Sequence, residues 1–303
     1  MTKAILVSGA NGFIGSHLAR ALVADGRRVV ILCRRFSDTS RVRDIFNNLR
    51  RIDIDTGNLY DALASVELDG VVHLATKYGR RSETVADVFR ANFQFPVELL
   101  DVALKRGARF FINTDSFFCK PHFAYSAMPE YTYSKVCFLR WARKNADKIH
   151  VANMRLEHVY GPKDGTEKFV PTVLSQMLNP DIREIELTEG RQRRDFVYVT
   201  DVADAFRCVI AVAEQAQPGY VAYEVGTGES NEIRTFAEKL KHATSSSANL
   251  LFGAIPYRDG EIMESRADLT ALSALGYRPK INLDAGISRL VGAARDARRS
   301  LVR

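Results

Sequence analysis

The chain has 303 residues, 46% apolar and 26% charged, a balance that suits a globular fold with one large core or two joined lobes and excludes a disordered chain. Its apolar runs are only a few residues long, which excludes a membrane-spanning helix, and the first residues enter a strand pattern rather than a secretion signal. The net charge of +7 arises from arginine pairs scattered along the sequence, with no basic helix and no aromatic-rich RNA motif, so small anions are expected as partners and nucleic acid is not.

The first element is an apolar strand, Ala4 to Val7, that runs into Ser8-Gly9-Ala10-Asn11-Gly12-Phe13-Ile14-Gly15. Glycines at 9, 12 and 15 allow positive φ and close approach of the backbone to a diphosphate. A helical pattern follows, with Ile14, Leu18, Leu22 and Val23 on one face, and Asp25-Gly26 stops it. Strand, tight turn and helix N-terminus together form an anion cradle, so this segment predicts dinucleotide binding.

Val29 to Cys33 reads as the second strand. Enzymes that use NAD usually place an acid at this strand end to hold the ribose 2′-hydroxyl, whereas NADP enzymes present arginine to the 2′-phosphate. Here Arg34 and Arg35 follow Cys33 and no carboxylate appears until Asp38, which favours NADP over NAD. Further strands are expected at residues 51–54, 70–75, 109–113 and 151–156, with helices at Pro96–Arg106 and Tyr133–Asn145 between them. Continuous apolar strands alternating with helices predict an α/β fold with a doubly wound parallel sheet of the Rossmann type. After Tyr160-Gly161-Pro162 the elements shorten. The expected division is a dinucleotide-binding domain at 1–160, with 195–225 returning to it, and a smaller C-terminal substrate lobe at 161–194 and 226–303.

Tyr131 and Lys135 are four apart, which on a helix places them on one face, and Tyr133 points elsewhere. A phenol with a pKa near ~10 is a poor proton shuttle at neutral pH, and a neighbouring ammonium would lower it. The spacing alone does not separate a catalytic pair from a solvated helix face. The four cysteines are far apart with no CxxC pair, and no HExxH is present, so reduced thiols in a cytoplasmic protein are expected and a metal is not.

The Gly-x-x-Gly-x-x-Gly spacing and the Tyr-x-x-x-Lys pair after the fifth strand resemble the extended short-chain dehydrogenase/reductase family, the NAD-dependent epimerases and dehydratases. The resemblance implies cofactor contacts from Gly9, Asn11, Gly12, Phe13, Ile14 and Gly15, and from Arg34 and Arg35. It also implies an adenine contact at Asp53 and Ile54, and a nicotinamide-side wall from Leu74, Ala75 and Asn92, the last opening a helix. It implies catalysis by Thr114, Tyr131 and Lys135, with Lys135 binding the nicotinamide ribose and His73 structural. Substrate contacts are expected from Asp115, Ser116, His158, Arg194 and Arg258, His158 standing where the family has Asn.

Within the family, Asn113 to Phe118 and the Tyr-Thr-x-Ser-Lys form of the pair resemble the nucleotide-sugar 4-ketoreductases of the CDP-abequose and CDP-paratose synthase kind. Sugar dehydratases have Thr-Asp-Glu where this chain has Thr114-Asp115-Ser116. One carboxylate cannot serve as both acid and base of that elimination. The resemblance thus implies NADPH-dependent reduction of a 4-keto-deoxyhexose on a nucleoside diphosphate, for bacterial surface polysaccharide, by a homodimer. Alternatives are an NAD-dependent 4-epimerase and, in another class, a dinucleotide-sensing regulator without turnover.

Overall fold

The computed structural model describes residues 3–55, 57–80, 83–123 and 127–302. The chain opens with β1 (Ala4–Ser8), α1 (Phe13–Ala24), β2 (Val29–Cys33) and β3 (Leu49–Asp53), the last two joined by a 3-10 segment at Ser40–Asn48. A short α2 (Leu59–Ala62) leads to β4 (Leu68–His73), α3 (Val85–Phe89), α4 (Phe95–Lys105) and β5 (Phe110–Ser116). Next come α5 (Pro129–Lys144), β6 (His150–Leu156), β7 (His158–Tyr160), α6 (Phe169–Met177) and β8 (Glu184–Leu187). The remainder is β9 (Arg193–Arg194), β10 (Phe196–Tyr198), α7 (Val199–Ala213), β11 (Gly219–Val225), β12 (Asn231–Glu232), α8 (Ile233–Thr244), β13 (Asn249–Phe252), β14 (Glu264–Ser265), α9 (Thr270–Ala274) and α10 (Leu283–Val302).

The main sheet has seven strands in the order β11-β6-β5-β4-β1-β2-β3, and every pairing in it is parallel. This is the doubly wound arrangement expected from the alternation of strands and helices. Alternate residues of β1 feed different cores: Ile5 and Val7 join a cluster with Leu18 and Phe206, while Ala4 and Leu6 join one with Leu99 and Phe138. Both faces of the strand are buried, which is why it reads as an unbroken apolar run. A third apolar cluster, centred on Phe236, Phe196 and Val173, lies among the shorter elements and includes Phe13 from the start of α1.

Several boundaries differ from the expected ones, each for a local reason. The fifth strand continues through Thr114, Asp115 and Ser116 because these residues pair with Met154, Arg155 and Leu156 of β6. The fourth strand ends at His73 instead of residue 75, and the Leu74 amide then donates to the Ser8 carbonyl at 3.1 Å as the chain leaves the sheet. Helix α5 begins at Pro129, four residues earlier than expected, with the proline in the first turn where its missing N–H costs nothing. Asn92 does not open a helix. It lies in a π-helical turn, Arg90–Gln94, between α3 and α4.

Candidate active site

The strand order reverses between β1 and β4, and the glycine turn stands at that point, on the carboxyl edge of the sheet. Gly9 has φ +71°, and a Cβ there would lie 2.6 Å from the Ala75 backbone nitrogen. A Cβ on Gly15 would lie 2.1 Å from the Gly9 carbonyl oxygen, so α1 packs directly on the turn. Gly12 is the N-cap of α1 and no side chain caps that end, which leaves a helix N-terminus for an anion. The cradle therefore fits a dinucleotide diphosphate.

At the end of β2, Arg34 and Arg35 are exposed. Their backbone is fixed: the Arg34 amide donates to Ser37 Oγ at 3.0 Å and the Arg35 amide to Asp55 Oδ2 at 2.7 Å. The Asn11 side chain donates to the Asp38 carbonyl at 3.1 Å and ties this loop to the glycine turn. Asp53 Oδ1 accepts from the Asp55 amide at 2.9 Å, and the Ile54 amide donates to the Cys33 carbonyl at 3.1 Å.

Thr114, Tyr131 and Lys135 come together at the carboxyl end of β5. One face of α5 is buried at Tyr131, Ser134, Lys135, Phe138 and Ala142, the i, i+3, i+4 pattern that carries the pair inward. Lys135 Nζ donates to the Thr114 carbonyl at 2.8 Å and lies 5.4 Å from the centre of the Tyr131 ring. The Thr114 hydroxyl oxygen is buried and, among the described residues, has no hydrogen-bond partner. A buried hydroxyl left unpaired is costly, and a ligand oxygen would satisfy it. Tyr133, by contrast, is 63% exposed.

The electrostatics of Tyr131 differ from expectation. Burial, reinforced by Tyr78, Cys119 and Asp115, pushes its hydroxyl well above the usual phenol range, and the Ser116 hydrogen bond acts in the other direction. The expected lowering by Lys135 is not what governs the group. Without ligands Tyr131 is held as the protonated phenol.

Asp115, expected to face substrate, is instead built into the sheet. Its carboxylate accepts from the Ser116 amide at 2.8 Å, Asn153 Nδ2 at 3.1 Å and Arg155 Nε at 3.2 Å, and the residue is buried. Thr114 and Asp115 are adjacent on a strand and so point to opposite faces. Asn92 likewise has its amide fully engaged. It accepts from Thr76 Oγ1 at 3.1 Å and the Lys77 amide at 2.9 Å, and it donates to the Lys77 carbonyl at 2.8 Å and Ser134 Oγ at 3.2 Å. It braces the β4 loop against α5. His73 is buried, 2.8 Å from Ser8 Oγ, and burial holds its imidazole down at about 3.

On the opposite wall, burial and then the charges of Arg194, Lys168 and Arg80 hold His158 down at about 3, a neutral imidazole near three cations. Arg194 is buried and bonded to Glu261, with its guanidinium 5.8 Å from the Phe117 ring centre. Arg258 is exposed in the loop that precedes Glu261.

Two residues of this wall were not singled out from the sequence. Tyr78 stacks on Tyr131 with ring centres 4.9 Å apart, and Lys168, bonded to Asp164 at 2.8 Å, lies 5.4 Å from the Phe13 ring and 5.6 Å from the Tyr78 ring. Both belong to loops with no repeating pattern to mark them.

Residues 5–226 match the NAD dependent epimerase/dehydratase family. The chain is 38% identical over 293 residues to a CDP-abequose synthase from Salmonella typhimurium, covering 95% of this chain and 97% of that one. It is 28% identical over 309 residues to a UDP-glucose 4-epimerase from Mycolicibacterium smegmatis, covering 94% and 96%. Among solved structures, MoeE5 in complex with UDP-glucose and NAD is similar at a TM-score of 0.80 and 26% identity, covering 98% of this chain and 99% of that one.

Proposed function

Because the chain belongs to the NAD dependent epimerase/dehydratase family, we propose that it is an NADPH-dependent reductase of a 4-keto-deoxyhexose carried on CDP. The observation that carries the reading is the buried, unpartnered hydroxyl of Thr114, the residue whose carbonyl Lys135 binds 5.4 Å from the Tyr131 ring centre, at the sheet edge where the glycine turn stands. The identity with the CDP-abequose synthase over nearly the whole chain supports the nucleotide and the class of sugar.

The glycine turn would hold the cofactor diphosphate, and Arg34 with Arg35 would hold the 2′-phosphate. When bound, the reduced nicotinamide supplies a hydride to the sugar C4. Thr114 donates its free hydroxyl hydrogen to the C4 oxygen and orients the carbonyl. Tyr131, held protonated by burial, gives its proton to the alkoxide that develops there. Lys135 fixes the Thr114 backbone and would hold the nicotinamide ribose of a bound cofactor. Neutral His158, Arg194 and Arg258 would meet the sugar nucleotide, the arginines its diphosphate.

Epimerisation is the second reading, favoured by relatives named as 4-epimerases and by neighbours bound to NAD. It uses one tyrosine as base in the first half-reaction and as acid in the second, so a protonated Tyr131 in the ligand-free chain fits both readings. The arginine pair at the end of β2 is what argues for the phosphorylated, exchanging cofactor of a reductase. A sensor without turnover would have no use for all of Thr114, Tyr131 and Lys135. We also propose a homodimer through the α4 and α5 side, where Tyr133 and Trp141 are 63% and 44% exposed.

Competition binding with CDP, UDP, GDP and dTDP in the presence of NADPH tests the substrate assignment. CDP should bind most tightly, and a preference for another base would overturn it.

A further inference from the structure

We propose that Tyr78 is a positioning residue for the proton donor, setting the ring plane of Tyr131 and so the direction of its O–H. The inference rests on the reading of Tyr131 as the acid. The two rings are close to parallel, with centres 4.9 Å apart and planes 17° apart. A phenolic O–H lies in the plane of its ring because the oxygen lone pair conjugates with it. Whatever fixes the plane therefore fixes the arc in which the proton can be delivered.

Tyr78 is itself fixed from three sides. The residue before it is clamped by Asn92, which accepts from the Lys77 amide at 2.9 Å and donates to the Lys77 carbonyl at 2.8 Å. The Arg80 guanidinium lies 5.1 Å from the Tyr78 ring centre and the Lys168 ammonium 5.6 Å, cation–π contacts that oppose rotation of the ring. Lys168 is in turn bonded to Asp164 at 2.8 Å. The same stacking covers Tyr131, which is only 3% exposed. Around Tyr131, among the described residues, stand Tyr78 from the β4 loop, Ser116 from β5, Cys119 from the turn after it and Lys135 from its own helix, with the Asp115 charge acting from the other face of β5. Of these only Tyr78 offers a ring face.

The test uses the full chain with NADPH and a CDP-linked 4-keto-3,6-dideoxyhexose, and compares Tyr78→Phe, Tyr78→Leu and Tyr78→Ala. The phenylalanine variant keeps the stack and should retain activity within about threefold, whereas leucine and alanine should lose roughly 10- to 100-fold in kcat with KM little changed. The alkaline limb of the kcat–pH profile should move to lower pH in the alanine variant, because a wetter phenol loses its proton more easily. Titration of tyrosinate absorbance, read as the difference from a Tyr131→Phe background, should move the same way without any turnover. Near-parental kcat in both Tyr78→Leu and Tyr78→Ala would overturn the proposal. So would a Tyr78→Phe variant as impaired as alanine, or an impaired Tyr78→Ala with its pH profile and titration unmoved. Full activity of Tyr131→Phe itself would instead refute the underlying assignment of the acid.

Discussion

At the scale of single residues, function is concentrated where burial and hydrogen-bonding demand conflict. Thr114 presents a buried hydroxyl with no partner among the described residues, two positions after the fully buried run Phe110 to Ile112. Tyr131 is kept protonated by burial in spite of a lysine 5.4 Å from its ring. Replacing Tyr131 with Phe removes the proton and little else, so NADPH affinity should be nearly unchanged while kcat falls by about 10²- to 10⁴-fold. Steady-state kinetics beside a direct cofactor titration checks this, with Tyr133→Phe as the control. Tyr133 is largely exposed, and its loss should be mild. Retention of most activity by Tyr131→Phe would show that the proton comes from elsewhere.

At the scale of elements, the carboxyl ends of the strands carry the chemistry, and they were legible to different degrees. The β1 turn could be read because Gly9 and Gly15 answer to steric demands that any residue with a Cβ would violate. Helical spacing predicts that Tyr131 and Lys135 share a face of α5, and that face is buried, but only the family resemblance gives the pair a role. Asp115 was misplaced because pleating turns it to the opposite face from Thr114, and the strand was expected to stop before both. Asn92 was misread because a π-turn breaks the helical count. Strands β9, β12 and β14, of two residues each, are too short to impose any periodicity. Tyr78 owes its place to a loop clamped by side chains distant in sequence.

The end of β2 makes its own prediction. Arg34 and Arg35 are exposed with their backbone pinned, so Ala at both positions should leave the fold intact. If they hold the 2′-phosphate of NADPH, each substitution removes a charge-assisted contact worth roughly 1.5–3 kcal/mol. The double variant should therefore weaken NADPH far more than NADH in parallel fluorescence titrations. Equal weakening of both would remove the basis for assigning NADP.

At the scale of the whole molecule, the seven-stranded sheet buries titratable groups that tie stability to pH. Burial holds His73 down at about 3, far below the ordinary value of 6.5. Below pH 6.5 the unfolded chain binds a proton that the folded one refuses, so stability falls as the pH drops from 6.5 toward 3, by about 1.4 kcal/mol per pH unit from this group. Above 6.5 neither state binds the proton and the contribution is flat. Denaturant unfolding across this range should show the slope, and His73→Gln should lessen it. An unchanged slope in that variant would mean that other groups set the acid limit.

A fold that performs net reduction does not recycle its cofactor. An epimerase must keep its nicotinamide, because a released one would leave the ketone stranded, whereas a reductase must exchange it at every turnover. The decisive measurement follows reduced-nicotinamide absorbance while a CDP-linked 4-keto-3,6-dideoxyhexose is titrated into the protein with excess NADPH. Net reduction should consume one NADPH per sugar converted. Interconversion of two sugar nucleotides with no external cofactor and no change in absorbance would contradict it.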